Sequence, residues 1–270
     1  MQRSGSLYTL GFAAAVCVVC AVLVSSSAYF LQGPQERNKL LDRQRQVLMV
    51  AGLADPGDAL PAAEVQRRFD ASIQERFVNI ETGEALSPEA FRDATGLDPR
   101  TYDPREALSM PEQSTAAPAK NRAGVARIPH YEIVYYVMEN GKPAKVVLPI
   151  MGKGLWSTLY GYLALDRDAR TIRGITFYEH GETPGLGGEV DNPRWKEQWD
   201  GRKAYDEDGS PTIQLVKGQA GPPEEDPYRV DGLSGATLTS RGVSGLVQFW
   251  LSDAGFKPFL EQFRNQWSAA

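Results

Sequence analysis

Cysteine and histidine are scarce in this chain of 270 residues, with two of each. Both cysteines, Cys17 and Cys20, lie in the first apolar stretch, so the rest of the chain has neither a disulfide nor a thiolate metal site. A Cys-x-x-Cys spacing can serve redox or metal chemistry. Here it has no second pair and no nearby histidine, and two small apolar residues in lipid is the simpler reading. His130 and His180 give no metal-binding set, and no cysteine set exists for an iron–sulfur cluster. No Lys/Arg stripe is present and the formal net charge is -5, which argues against nucleic acid as a partner. No Gly-rich unit for a nicotinamide nucleotide follows a strand, and no internal repeat of ~20–50 residues is found. Apolar residues make up 42% and charged residues 23%, as in ordinary globular proteins.

Charge is also missing from residues 4–32. The apolar stretch covers 7–31 and is densest at 12–24. About 20 apolar residues cross a bilayer's hydrocarbon, so this run suffices. Ser26, Ser27 and Ala28 resemble a signal-peptide cleavage site. The apolar region is nevertheless longer than the roughly 7–15 residues of a signal peptide's core, which predicts an uncleaved anchor. Arg3 precedes the span, whereas Arg37, Lys39, Arg43 and Arg45 lie after it. That count alone favours a cytoplasmic location for the C-terminal domain.

Residues 35–52 carry apolar positions at Leu40, Leu41, Val47, Leu48 and Met49, an amphipathic helix continuing from the anchor. Asp55, Pro56, Gly57 and Asp58 signal a turn. A second helix is expected from Pro61, with Val65, Phe69 and Ile73 four apart, and a short strand at Phe77, Val78 and Ile80. Residues 98–124 have loop composition and a plausible boundary. The domains expected are an anchor at 1–32, a helical and loop extension at 33–125, and a sheet domain at 126–270.

From Tyr131 strand patterns dominate. Runs at 131–138 and 145–150 flank Asn140-Gly141, a hairpin signal, and runs at 158–165 and 171–178 predict a second hairpin. A short strand is expected at 212–216, a short helix at 192–199, and a helix at 241–253 with Val243, Leu246, Val247, Trp250 and Leu251 on one face. Successive hairpins make an antiparallel sheet, and helices on one face of it give an α+β domain.

Residues 231–242 read Asp-Gly-Leu-Ser-Gly-Ala-Thr-Leu-Thr-Ser-Arg-Gly, a loop of small residues leading into a helix. Unpaired N–H groups at a helix start attract anions such as phosphate. The plain alternative is that Thr239 or Ser240 supplies an N-cap oxygen. No general base lies in the loop, so a hydrolytic serine is poorly supported. Residues 179–189 read Glu-His-Gly-Glu-Thr-Pro-Gly-Leu-Gly-Gly-Glu. Its glycines would let backbone approach a flat ring, although an ordinary Gly/Pro loop also accounts for it.

The segment Asp-Gly-Leu-Ser-Gly-Ala-Thr-Leu-Thr resembles the acceptor motif of proteins flavinylated by a flavin transferase. By that resemblance Thr237 receives FMN through a phosphoester bond. Asp231 matches the leading acid that the transferase requires, and Ser234, Gly235 and Ala236 match the core. With residues 180–188 and the Gly-Lys-Gly-Leu-Trp-Ser-Thr-Leu-Tyr-Gly of 152–161, the chain resembles the family of C-type subunits of sodium-translocating NADH:quinone reductases.

The resemblance implies an α+β covalent FMN-binding domain on one transmembrane helix, with a mostly antiparallel sheet and flanking helices. It implies one covalent FMN and an electron relay between partner subunits of a translocase that is not catalytic in this chain alone. It further implies a bacterial inner-membrane location with the FMN domain in the periplasm, against the charge count. Cofactor contacts are expected at Trp156, Glu182, Thr183, Leu186 and Gly187, beside Thr239 and the acceptor motif. No catalytic or metal-binding residue is expected. The partners implied are the other subunits, a flavin transferase during maturation and the lipid bilayer. Two alternatives remain open on the sequence: a G-type subunit of a ferredoxin-linked ion pump, and an anchored assembly module without redox function.

Overall fold

The structure is a computed structural model that describes residues 5–55 and 57–268. Arg3 of the charge flank and Pro56 of the expected turn lie outside the described residues, as does the side chain of Arg37. The chain forms two units, one ending at Arg43 and one running from Gln44 to Ala270.

Helix α1 covers Gly5–Val50 without a break. Its stretch Tyr8–Gly33 is 26 residues of apolar helix and none of it is buried against protein. At ~1.5 Å per residue such a stretch spans about 39 Å, more than the ~30 Å of bilayer hydrocarbon. A helix that is apolar all round and uncovered by protein is suited to lipid.

In the second unit the elements run in the order α2 (Ala62–Ser72), β1 (Ile73–Asn79), β2 (Ala85–Leu86), α3 (Pro88–Thr95), α4 (Pro104–Ala107), β3 (Ser114–Ala116), β4 (Arg127–Pro129), β5 (Tyr131–Glu139), β6 (Lys142–Lys153), β7 (Thr158–Asp166), β8 (Ile172–Glu179), α5 (Pro193–Glu197), β9 (Gln214–Val216), β10 (Arg229–Asp231), α6 (Thr237–Trp250) and α7 (Lys257–Ser268). Six strands make the main sheet in the order β2-β1-β5-β6-β7-β8, with every neighbouring pair antiparallel. Strand β1, from the segment expected as an extension, is hydrogen bonded along its whole length to β5. Asn140 and Gly141 both have positive φ, 53° and 76°, which is the left-handed pair a two-residue hairpin needs.

Helices cover both faces of the sheet, not the single face expected. Successive residues of a strand point to opposite faces, and β5 is apolar without interruption at Ile133, Val134, Tyr135, Tyr136 and Val137. Val134 and Tyr136 join a core with Leu148, Leu163, Leu246 and Trp250, under α6 and α7. Ile133, Tyr135 and Val137 join a second core with Leu48, Phe69, Phe77 and Phe91, under α2, α3 and the last turns of α1. A strand buried on both faces loses its polar alternation. The antiparallel order holds beside one exception, since β9 and β10 pair in parallel.

Candidate functional site

The acceptor motif sits between β10 and α6. Helix α6 begins at Thr237, four residues before its expected start, and its N-cap Ala236 has no side-chain oxygen. The N–H groups of the first turn therefore lack a side-chain cap, and the positive end of the helix dipole stays open. The capping reading is corrected here. Thr239 and Ser240 lie within the helix, where a tertiary partner takes the Thr239 hydroxyl and neighbouring backbone takes that of Ser240. Thr239 Oγ1 donates to Glu182 Oε2 at 2.6 Å. Ser240 Oγ donates to the Ala236 carbonyl at 3.0 Å and accepts the Leu233 N–H at 3.0 Å.

Thr237, Ser234 and Gly235 are exposed, while Ala236 is buried beneath them. Gly235 has φ 70°, which favours glycine conformationally, and a Cβ there would lie 2.8 Å from Cδ2 of the exposed Leu186, which would have to move aside. Beside the loop lies a groove of about 690 Å³ whose walls include Lys217, Gln219, Asp231, Ser234, Thr237 and Arg241. That volume falls in the range of ~300–1,000 Å³ usual for small-molecule sites. Lys217 and Arg241 are exposed cations at this groove. Neither is singled out by a sequence motif. Lys217 reaches the site because β9 runs parallel to β10, a long-range pairing with no local signature.

Asp231 shapes the groove from inside the protein. Its carboxylate accepts the Ala220 N–H at 2.7 Å and the Gln198 side-chain amide at 3.1 Å. Its carbonyl accepts the Trp195 indole N–H at 2.9 Å.

The loop at 180–188 and the turn at 154–157 meet at Glu182, which is only 5% exposed. Its Oε1 accepts the N–H groups of Trp156 at 2.9 Å and Ser157 at 3.2 Å, and its Oε2 accepts the Leu155 N–H at 3.2 Å beside the Thr239 hydroxyl. Burial opposes ionisation, but the Thr239 hydroxyl and the three N–H groups outweigh it and hold the carboxyl below its ordinary range. Gly187 is buried against this cluster, since a Cβ there would lie 2.7 Å from both Glu182 Oε2 and Thr239 Oγ1. Glu182, Gly187 and Thr239 thus lie together behind the loop surface. Trp156, Thr183 and Leu186 lie on it, with Trp156 72% exposed. Leu155, Leu186 and Leu238 are also exposed apolar side chains on these three segments. An exposed hydroxyl, an uncapped helix start, two cations and apolar surface form a donor set that fits a phosphorylated, flat aromatic group such as FMN.

Comparison with known proteins accords with this geometry. Residues 154–252 match the family model of the FMN-binding domain. The chain is 45% identical over 266 residues to the C subunit of the Na(+)-translocating NADH-quinone reductase of Pseudomonas aeruginosa, covering 98% of each chain. It is 45% identical over 252 residues to the same-named protein of Yersinia pestis, covering 93% of this chain and 90% of the relative. The crystal structure of NqrC from Shewanella oneidensis superposes with a TM-score of 0.73 at 35% identity, covering 86% of this chain and 99% of that one. The chain belongs to the family of C subunits of the Na(+)-translocating NADH-quinone reductase and is thus one component of that translocase complex.

Proposed function

We propose that Thr237 carries a single FMN through a phosphoester bond and that the chain relays electrons between partner subunits of the translocase. The observation that carries this reading is the place of the Thr237 hydroxyl, exposed at the first position of an uncapped helix beside a groove of about 690 Å³. A phosphate ester formed there would have its negative charge at the positive end of α6, with Lys217 and Arg241 at the same groove. Ester formation requires that the hydroxyl lose its proton to the medium and that an activated flavin nucleotide, presented by a flavin transferase, lose its leaving group. Small residues at 234–236 give the transferase access.

Bound FMN supplies one- and two-electron transfer. The chain's own residues fix where that happens. Trp156, Leu186 and Leu238 offer exposed apolar surface that would hold the ring and would leave a group bound there accessible to a partner subunit. A covalent tether keeps the flavin at high effective concentration without tight ring contacts. Helix α1 anchors the chain in the inner membrane, and the FMN domain lies on the periplasmic side. The sidedness rests on the family, because Lys39, Arg43 and Arg45 after the span favour the opposite face. Protease accessibility in intact cells distinguishes the two.

The deciding experiment is Thr237→Val in the full chain. It is expected to abolish in-gel flavin fluorescence after denaturation while the domain stays folded. A fluorescent variant band refutes Thr237 as the acceptor.

A further inference from the structure

Glu182 is a buried carboxylate that neither ester formation nor electron transfer uses. All five groups within hydrogen-bond reach of it are donors: the N–H groups of Leu155, Trp156 and Ser157 and the hydroxyls of Ser157 and Thr239. An ionised carboxylate is acceptor-only, which explains why neither glutamine nor a neutral acid matches this set. The partners compensate the charge with dipoles and not with a cation. Among the described residues no Lys, Arg or His side chain forms an ion pair with Glu182. The charged and titratable groups on the elements around it are otherwise engaged or face solvent. His180 Nε2 lies 2.8 Å from Asp191, Lys153 at the end of β6 is exposed, and Arg241 on α6 is exposed at the groove. A net negative charge is therefore fixed inside the loops that surround Thr237, two residues along α6 from Thr239.

We infer that Glu182 is a positioning residue that also holds the flavin's reduction potential down. It rests on the reading that Thr237 carries FMN. The positioning half comes from connectivity. One side chain ties the turn bearing Trp156, the loop bearing Leu186 and the first turn of α6, so the surfaces offered to the ring keep one arrangement around the acceptor. The electrostatic half comes from charge. An electron added to the flavin without a proton adds negative charge near a fixed anion screened only by dipoles, and the anionic reduced forms are disfavoured. For a site within about 10 Å in a partly buried setting, removing one unit charge shifts such an equilibrium by about tenfold.

The test compares Glu182→Gln with wild type in the full, detergent-solubilised chain by spectroelectrochemical titration of the covalent flavin. For an electron step without proton uptake, Glu182→Gln is expected to favour the reduced flavin about tenfold, which raises that one-electron midpoint by about 59 mV. Thr239→Val, which keeps the charge and removes its shortest bond, is expected to lower thermal stability without that rise. A flavin-bearing Glu182→Gln protein with an unshifted or lowered potential overturns the proposal, whereas a folded Glu182→Gln protein that takes up no flavin supports the positioning half and leaves the charge to be decided by the flavin-free arm. A flavin-free arm separates this failure from failure of the FMN reading. In the Thr237→Val background, Glu182→Gln is expected to flatten the loss of stability on acidification, because the wild-type carboxylate must be protonated while buried. An unchanged acid limb there refutes the buried anion whether or not Thr237 is ever esterified. If the single variant does not fold, the double variant Glu182→Met/Thr239→Val, which replaces both ends of the shortest bond with apolar groups of similar size, carries the same comparisons.

Discussion

Replacing Thr239 with valine removes one hydrogen bond at nearly constant side-chain volume. Thr239 is fully buried, and its hydroxyl donates to an ionised carboxylate at 2.6 Å, the shortest bond that Glu182 accepts. A net contribution of about 1.5–3 kcal/mol is usual for hydrogen bonds to charged groups. Valine fills the same space, so no cavity cost adds to it, and the three N–H donors to Glu182 remain. A loss of about 2 kcal/mol corresponds to roughly 4–8 °C in Tm for a domain of this size. The assay is thermal unfolding of the full chain in detergent at pH 7, monitored by tryptophan fluorescence. The pH dependence gives a second check. Because the folded-state pKa of Glu182 is depressed, its stabilising effect is complete above the unfolded pKa of ~4.3 and is lost as pH falls through the folded value. The gap between wild type and Thr239→Val should therefore be widest near neutrality and narrow below about pH 4. A Tm within about 1 °C of wild type at pH 7, or a gap that widens on acidification, refutes the assignment of Thr239 as a donor to an ionised Glu182.

Gly242→Ala would bring a Cβ to 2.3 Å from the Lys153 carbonyl oxygen, forcing α6 off the end of β6. A loss of about 1–3 kcal/mol is expected, read as a lower urea midpoint with unchanged slope. Trp156→Ala, at a side chain 72% exposed, should leave the urea midpoint almost unmoved while increasing the fluorescence yield of the attached flavin, since an indole face is removed from the ring's surroundings. Asp231→Ala deletes the acceptor of bonds from Ala220 and Gln198 at 2.7 and 3.1 Å, so residues 218–220 loosen at the groove. In-gel fluorescence should show attachment lost, while circular dichroism shows the sheet retained.

The parts of this fold that are legible in sequence are those set by local periodicity. Asn140-Gly141 fixes the β5–β6 turn by its own backbone preferences, and Val243, Leu246, Val247 and Trp250 mark the buried face of α6. The same spacing recurs in Phe256, Phe259, Leu260 and Phe263, which pack in the same core, but the helix α7 they lead into lies beyond the last helix expected from the sequence. What periodicity does not convey is partnership. The parallel pairing of β9 with β10, which delivers Lys217 to the groove, joins residues about 15 apart across a loop whose Gly218 and Gly221-Pro222-Pro223 signal turns but not a parallel partner. The start of α6 is displaced for a related reason. Thr239 and Ser240 have the composition of caps, but Glu182 and the Leu233 N–H, distant or out of helical register, take their hydroxyls. A side chain's chemistry is local, whereas the partner that uses it is chosen by topology.

The small residues of the acceptor segment have two separate causes, and the structure assigns them to different positions. Gly235 combines φ 70° with close approach to Leu186, so a side chain there would strain the backbone and displace an exposed apolar contact. Gly242 and Gly245 instead let α6 lie against backbone, with Cβ positions 2.3 Å from the Lys153 carbonyl oxygen and 2.4 Å from the Arg122 carbonyl oxygen. Helix α6 is held close by that second pair and its first turn by the Glu182–Thr239 bond, so Thr237, on the turn's outer side, is left exposed. Access to the hydroxyl and tight docking of the helix are thus one arrangement seen from two sides. A substitution that loosens the docking should alter attachment even when it lies a full turn away from Thr237.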